Sequence, residues 1–201
     1  MINEPNDLFE KKLWQEGYKS VMGLDEVGRG CLAGPVVAAG VILNPGTTIE
    51  GVTDSKVIKT HARRAELAAE IKNNALCWTI KECSPEEIDE INILRASLMA
   101  MEKCVNASDT HPDYLLIDGN KYLPTVIPHQ CLIKGDMRSI SIGAASILAK
   151  VYRDELMHEL HDKYPHYGWN TNVGYPTKKH YEGIRSKGIT SHHRKSFRLN
   201  V

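Results

Sequence analysis

The most constraining feature is an apolar run that ends in two consecutive acids: Val21-Met22-Gly23-Leu24-Asp25-Glu26-Val27-Gly28. Residues 19–25 read as a strand rich in apolar side chains. A second run, 35–43, is rich in Val, Ile and small apolar residues and reads as another strand. Glycines lie between the two, so they are expected to form a hairpin. Gly28-Arg29-Gly30-Cys31-Leu32-Ala33 formally satisfies the dinucleotide-binding fingerprint. That motif must open a helix, however, and here Pro35 and a β-branched run follow. Hydride-transfer chemistry therefore has no support. The bare N–H groups of this loop, with Arg29, suit close approach to a sugar-phosphate chain.

Two further segments place acids at the edge of an apolar surface. Leu115-Leu116-Ile117-Asp118-Gly119 is a short strand ending in a carboxylate. On a long helix expected over 139–162, Ile140, Ile147, Val151 and Asp154 fall within roughly 60° of one another at 100° per residue. Asp154 thus lies on the buried stripe, with Arg153 and Glu155 to either side. Taken singly, Asp118 reads as a turn residue, and an Asp on an apolar helix face is commonly paired with a buried Arg. Together they suggest convergence. Each pair of close carboxylates costs about 4 kcal/mol at an effective dielectric near 20, which only a cation offsets. Oxygen donors without cysteine favour Mg2+ or Mn2+. Two such ions hydrolyse phosphodiesters by activating water and stabilising the leaving oxygen. Asp25 and Glu26 are consecutive and face opposite sides of a regular strand. Both reach one site only if the strand ends or twists there, a freedom Gly28 and Gly30 supply.

The remaining elements read as helices over 6–17, 60–75, 84–105 and 177–187, and strands over 76–82, 114–117 and 130–133. Ser84-Pro85-Glu86-Glu87 is a capping box with proline at the first helical position. The expectation is a mixed α/β catalytic domain over 1–165 and a basic helical extension over 166–201 packed on it. Lys plus Arg equals Asp plus Glu, at 25 each, but from Tyr175 onward seven basic residues face one acid, net +6. Basic residues with interleaved His180, Tyr181, His192, His193 and Phe197 form a footprint expected for nucleic-acid backbone. No apolar run approaches the length of a membrane helix, and no secretory signal is expected. Five widely spaced cysteines without a Cys-x-x-Cys pair fit a reducing cytoplasm and no zinc ribbon.

In order along the chain stand Asp25-Glu26-Val27-Gly28-Arg29-Gly30, Asp54-Ser55-Lys56, Leu116-Ile117-Asp118-Gly119 and Lys134-Gly135-Asp136. Ser146-Ile147-Leu148-Ala149-Lys150-Val151-Tyr152-Arg153-Asp154, Gly174-Tyr175-Pro176-Thr177 and His193-Arg194-Lys195-Ser196-Phe197 follow. In this order they resemble ribonuclease HII over roughly residues 20 to 198. The resemblance implies a ribonuclease H-like fold: a mixed five-stranded sheet flanked by helices, with a helical C-terminal extension. It implies an endonuclease that cuts the RNA strand of RNA–DNA hybrids and nicks 5′ to ribonucleotides embedded in DNA, leaving 5′-phosphate and 3′-hydroxyl ends. Two Mg2+ or Mn2+ ions are then expected on Asp25, Glu26, Asp118 and Asp154. Gly28, Arg29 and Gly30 match the loop that senses the ribose 2′-hydroxyl. Tyr175 matches the tyrosine that stacks on the junction sugar, and Lys56 and Lys150 match basic positions near the backbone. Departures are Val57 and Ile58 after Asp-Ser-Lys, and Gly143 before the Ala-Ala-Ser run. With four residues after Phe197, no long tail for docking on a sliding clamp is expected. A cytoplasmic monomer without membrane contact is expected. The competing readings are a ribonuclease HIII-like hybrid nuclease and a non-catalytic nucleic-acid-binding module.

Overall fold

The run Val36–Leu43 forms strand β2, buried along its whole length. Apolar residues at both parities are the pattern of a strand covered on two faces. The computed structural model, which describes residues 5–52, 55, 58 and 60–199, shows both covers. Val37, Ala39, Val41 and Leu43 pack with helices α2 (His61–Asn74) and α5 (Ile140–Lys163). Val36, Ala38 and Ile42 pack on the other side with α4 (Ile93–Asn106). Strands β1 (Val21–Val27) and β3 (Ala75–Cys83) flank β2, both antiparallel to it. Beyond β1 come β4 (Tyr114–Asp118) and β5 (His129–Leu132), each parallel to its neighbour. The sheet order is β3-β2-β1-β4-β5. Helix α1 (Leu8–Gln15) packs beside β1. Among the described residues no helix is long and apolar enough to cross a membrane.

This topology sets the edge on which the acids meet. Strands β1, β4 and β5 are mutually parallel, so their carboxyl ends lie along one edge, where ligand crevices of open α/β sheets form. Pairing of β1 with β4 stops at Leu24↔Ile117. One step further along that register, Asp25 stands level with Asp118. Pairing of β1 with β2 continues through Val27↔Val37. The strand therefore runs one residue past the two acids before it ends. At the acids it loses one neighbour, and the gap opens beside both carboxylates.

One expected helix is two. The segment read as continuous over 84–105 breaks at Asn92, whose φ is +68°. Helix α3 (Pro85–Ile91) stops there, and Asn92 Oδ1 accepts from the N–H groups of Leu94 and Arg95 to cap α4. With ψ at +161° this is a backbone region that a residue with a Cβ enters at a cost, and the two capping hydrogen bonds offset part of it. The capping box at Ser84 and Glu87 is formed as read.

The start of α5 lies against β1. A Cβ at Gly23 would fall on the backbone of Ser141 and Ile142, so only glycine permits this approach. The buried carboxylate of Glu10 on α1 accepts from Ser141 N at 3.1 Å and from the hydroxyls of Ser139 and Ser141. An anion at a helix N-terminus is favoured by the exposed N–H groups and the dipole. It fixes the turn from which α5 departs.

The segment after α5 contains α6 (Trp169–Asn172) and α7 (Lys178–Lys187). Its Tyr167, Trp169, Ile184 and Leu199 share an apolar cluster with Leu32, Ala33 and Met157. The extension is thus packed on α5 and on the loop between β1 and β2.

Candidate active site

The glycine loop after β1 is held by two buried arginines. Arg153 of α5 donates to the carbonyls of Pro35 (3.0 Å), Val173 (2.7 Å) and Ala33 (3.0 Å). Arg194 of the extension donates to Gly34 O and Arg29 O, each at 3.0 Å. Leu32 N donates to Gly174 O at 2.8 Å, and Gly34 N donates to His192 O at 2.8 Å. Gly28 has φ +94°, and a Cβ there would run into Arg153. Buried backbone polar groups need partners, and a planar guanidinium serves several carbonyls at once. The loop's conformation is therefore imposed by α5 and the extension together.

That loop sets two expected substrate residues side by side. A Cβ at Gly30 would lie 3.9 Å from the ring of Tyr175. Arg29 Nη1 donates to Glu26 Oε1 at 3.1 Å. Tyr175 is 37% exposed, enough to offer a ring face. Its backbone is pinned by a histidine network. His180 Nδ1–H donates to Tyr175 O at 3.0 Å, and its Nε2 accepts from Trp169 Nε1–H at 3.1 Å. His193 Nδ1 accepts from Thr190 N at 3.0 Å, leaving its Nε2–H to donate to His180 Nε2 at 3.2 Å. Both rings are neutral in this arrangement.

Burial, reinforced by His180 and His192, pushes the His193 pKa down from 6.5 to about 4. The unfolded chain then binds more protons between those values, so stability is full above pH 6.5 and is lost as pH falls toward 4. The expected loss between pH 7 and pH 4 is about 3 kcal/mol. Urea unfolding across this range checks it, and His193→Gln is expected to remove this part of the dependence, leaving the parts due to His180, His192 and the carboxylates.

The tail's basic character is accordingly divided. His180, His193 and Arg194 are buried and structural, whereas Lys178, Lys179, Arg185, Lys187, Lys195 and Arg198 are exposed. Charge counting cannot separate the two groups.

The acids gather at the carboxyl ends of the three parallel strands. Asp25 is 7% exposed. Burial, then the neighbouring charges of Glu26, Asp118 and Asp136, raise its pKa well above the ordinary carboxylate value. A hydrogen bond from Ser146 of α5 opposes that shift, and Ser146 in turn contacts Ser55 at 3.0 Å between hydroxyl oxygens. Asp118 Oδ1 accepts from Gly135 N at 2.7 Å. Gly135–Met137 forms a 3-10 turn between β5 and α5, which delivers buried Asp136 to the same edge.

Asp154 has other company. Its Oδ1 accepts from Lys150 Nζ at 2.7 Å, and its Oδ2 lies 3.8 Å from Arg64 Nη2. The acid expected as fourth member is thus paired with cations, while Asp136, noted only as part of a motif, presses on Asp25. The signal that singles out Asp136 is its place after a strand parallel to β4, which periodicity does not reveal. Lys56 and Asp54 lie outside the described residues.

A cleft of about 580 Å3 is lined by Asp25, Glu26, Ser55, Arg64, Lys150 and Tyr175. Glu26 also borders a second recess with Arg29, Asp118 and Asn120. Among the described residues, no three His, Cys, Asp or Glu side chains close on one point as they stand. Each acid has turned to a protein donor: Asp25 to Glu26 N (2.7 Å), Glu26 to Arg29, Asp118 to Gly135 N. Their donor set is all oxygen and their charges repel, which suits a hard divalent cation.

The chain matches the family model of ribonuclease HII over residues 22–200. It belongs to the ribonuclease HII family. It is 48% identical over 194 residues to ribonuclease HII of Salinibacter ruber, covering 94% of this chain and 96% of that one. It is 52% identical over 179 residues to the Bacteroides thetaiotaomicron enzyme, covering 88% of each. The ribonuclease H2 structure from Pyrococcus horikoshii superposes with a TM-score of 0.75 at 25% identity, covering 90% of this chain and 94% of that one. As a member of the ribonuclease HII family, the chain has the ribonuclease H-like fold and is a ribonuclease H-type endonuclease. The family acts on RNA–DNA hybrids and depends on divalent metal.

Proposed function

We propose that this member of the ribonuclease HII family cleaves the RNA strand of RNA–DNA hybrids and also nicks 5′ to single ribonucleotides embedded in duplex DNA. What carries the reading is the meeting of Asp25, Glu26, Asp118 and Asp136 at three parallel strand ends, beside a glycine loop and an exposed tyrosine. In this reading those four acids hold two Mg2+ or Mn2+ ions, and Asp154 does not. Bound there, the ions would supply an activated water and stabilise the leaving 3′-oxygen.

The chain's own residues do the rest. Ser146 orients Asp25, and Gly135 N orients Asp118. Gly28, Arg29 and Gly30, fixed by Arg153 and Arg194, lie against the sugar-phosphate chain at the scissile linkage. The 2′-hydroxyl is the group by which a protein tells RNA from DNA. A site built to bond it leaves polar groups unpaired when deoxyribose enters, which is worth about 10^4-fold in the strongest cases. Tyr175 packs its ring on the sugar that follows. The exposed lysines and arginines of α7 and the tail add affinity without sequence preference.

The test compares three duplexes of one sequence: all DNA, DNA with one ribonucleotide, and an RNA–DNA hybrid. With Mg2+ or Mn2+ the second is expected to give a single nick on the 5′ side of the ribonucleotide. The hybrid is cut at many positions, and the first stays intact. Equal cutting of all three, or an intact second duplex beside a cut hybrid, contradicts the reading.

A further inference from the structure

The cleft lined by Asp25, Glu26 and Tyr175 also takes Arg64 from α2 and Lys150 from α5. Both cations converge on Asp154, one on each carboxylate oxygen, at 2.7 Å for Lys150 and 3.8 Å for Arg64. The Asp154 side chain is 6% exposed, and those of Arg64 and Lys150 are 14% and 16% exposed. Lys150 and Asp154 are four apart on one helix, so their approach is built into α5. Arg64 comes from a separate helix, and its Nη1–H donates to Ile58 O.

The Arg64 guanidinium is under-used. Its Nε–H is buried and has no acceptor among the described residues. Its Nη2 stands at ion-pair distance from Asp154, beyond hydrogen-bond range. Buried donors without acceptors are rare and ask for an explanation. Two cations and one carboxylate leave the group at net +1, on the wall of a cleft whose other charges are acids. Spare guanidinium donors beside an ammonium match the oxygens of a phosphodiester, which arginine binds through its fork. Two cations held this close repel unless an anion sits between them, and Asp154 is that anion.

We propose that Arg64 completes a phosphodiester-binding subsite beside Lys150, a position the resemblance already puts near the backbone, and that Asp154 is the positioning residue that holds both cations in place. The inference deepens the nuclease reading and rests on it. It also gives Asp154 a task other than holding metal.

The experiment measures duplex binding by the full chain in EDTA, where nothing is cut, over a range of salt. Arg64→Gln and Lys150→Gln are each expected to weaken binding and to flatten the plot of log Kd against log salt by about one unit. Asp154→Asn removes the anchor but adds net positive charge. It is expected to bind duplex as tightly as the parent or tighter and to keep the parent's Mn2+ affinity. Its kcat on the single-ribonucleotide duplex is expected to fall about 10-fold or more, because the cations are misplaced. Walking a neutral methylphosphonate linkage along each strand then distinguishes an RNA-strand phosphate from a DNA-strand one: at the contacted linkage the Arg64→Gln effect disappears. An Arg64→Gln chain with the parent's slope and Kd overturns the subsite. Loss of Mn2+ binding in Asp154→Asn overturns its positioning role. A parent chain that binds duplex without cutting it contradicts the nuclease reading, while the slopes still decide the subsite.

Discussion

Asp118→Asn is expected to lower cleavage of a single-ribonucleotide duplex by about 10^3-fold or more, equivalent to about 4 kcal/mol of lost transition-state stabilisation. The substitution is nearly isosteric, and the amide oxygen still accepts from Gly135 N. What disappears is a charge at the meeting point of β1, β4 and β5. Fold and stability are therefore expected to survive. Removing one carboxylate also relieves Asp25, whose pKa Asp118 helps to raise. Unfolding midpoints equal to or above the parent's, with activity gone, are the expected pair of results. Full activity in this variant removes Asp118 from the chemistry.

Arg153→Met is expected to be the largest structural loss, about 4 kcal/mol or more in urea unfolding. Three carbonyls lose a charged donor together, those of buried Ala33 and Pro35 and of half-buried Val173. Each buried acceptor left unpaired costs about 1 to 3 kcal/mol. Gly28 and Gly174 both pack on this guanidinium, so the loop and the Tyr175 segment loosen together. Activity is expected to fall beyond what unfolding explains, measured at a temperature where the variant remains folded. Lysine cannot substitute, since a single ammonium cannot reach three carbonyls in a fork. A cost below about 1 kcal/mol would contradict the role assigned to Arg153.

The sequence carried the main architecture because the strands that matter are nearly pure apolar runs. Val21–Val27 and Tyr114–Asp118 announce themselves by hydrophobicity and by the acids that end them. Asp25, Glu26 and Asp118 were therefore visible. Asp136 was not, because it lies in a turn whose proximity to Asp25 depends on β5 pairing parallel to β4. Arg153 read as a flanking residue because periodicity identifies only the face toward the sheet. Around Arg153 and Met157 helix α5 is covered on its other side as well, by the loop at Ala33 and by the extension. The stripe that contains Asp154 is buried as read, and its cationic partners are Lys150 and the half-buried Arg64 rather than a fully buried arginine. The tail's charges were countable, but only packing shows that Arg194 and His193 turn inward.

Mn2+ titration of the parent chain, Asp25→Asn and Asp136→Asn, followed by calorimetry and by the shift in Tm, tests the central claim most directly. The account predicts that the parent binds Mn2+ and gains Tm, because the ion offsets the repulsion concentrated on Asp25. Both variants are expected to lose at least about 10-fold in affinity, since each removes a charged oxygen ligand. Parent-like Mn2+ binding by both variants, or no binding by the parent at millimolar Mn2+, would contradict the convergence of these acids on a shared cation site.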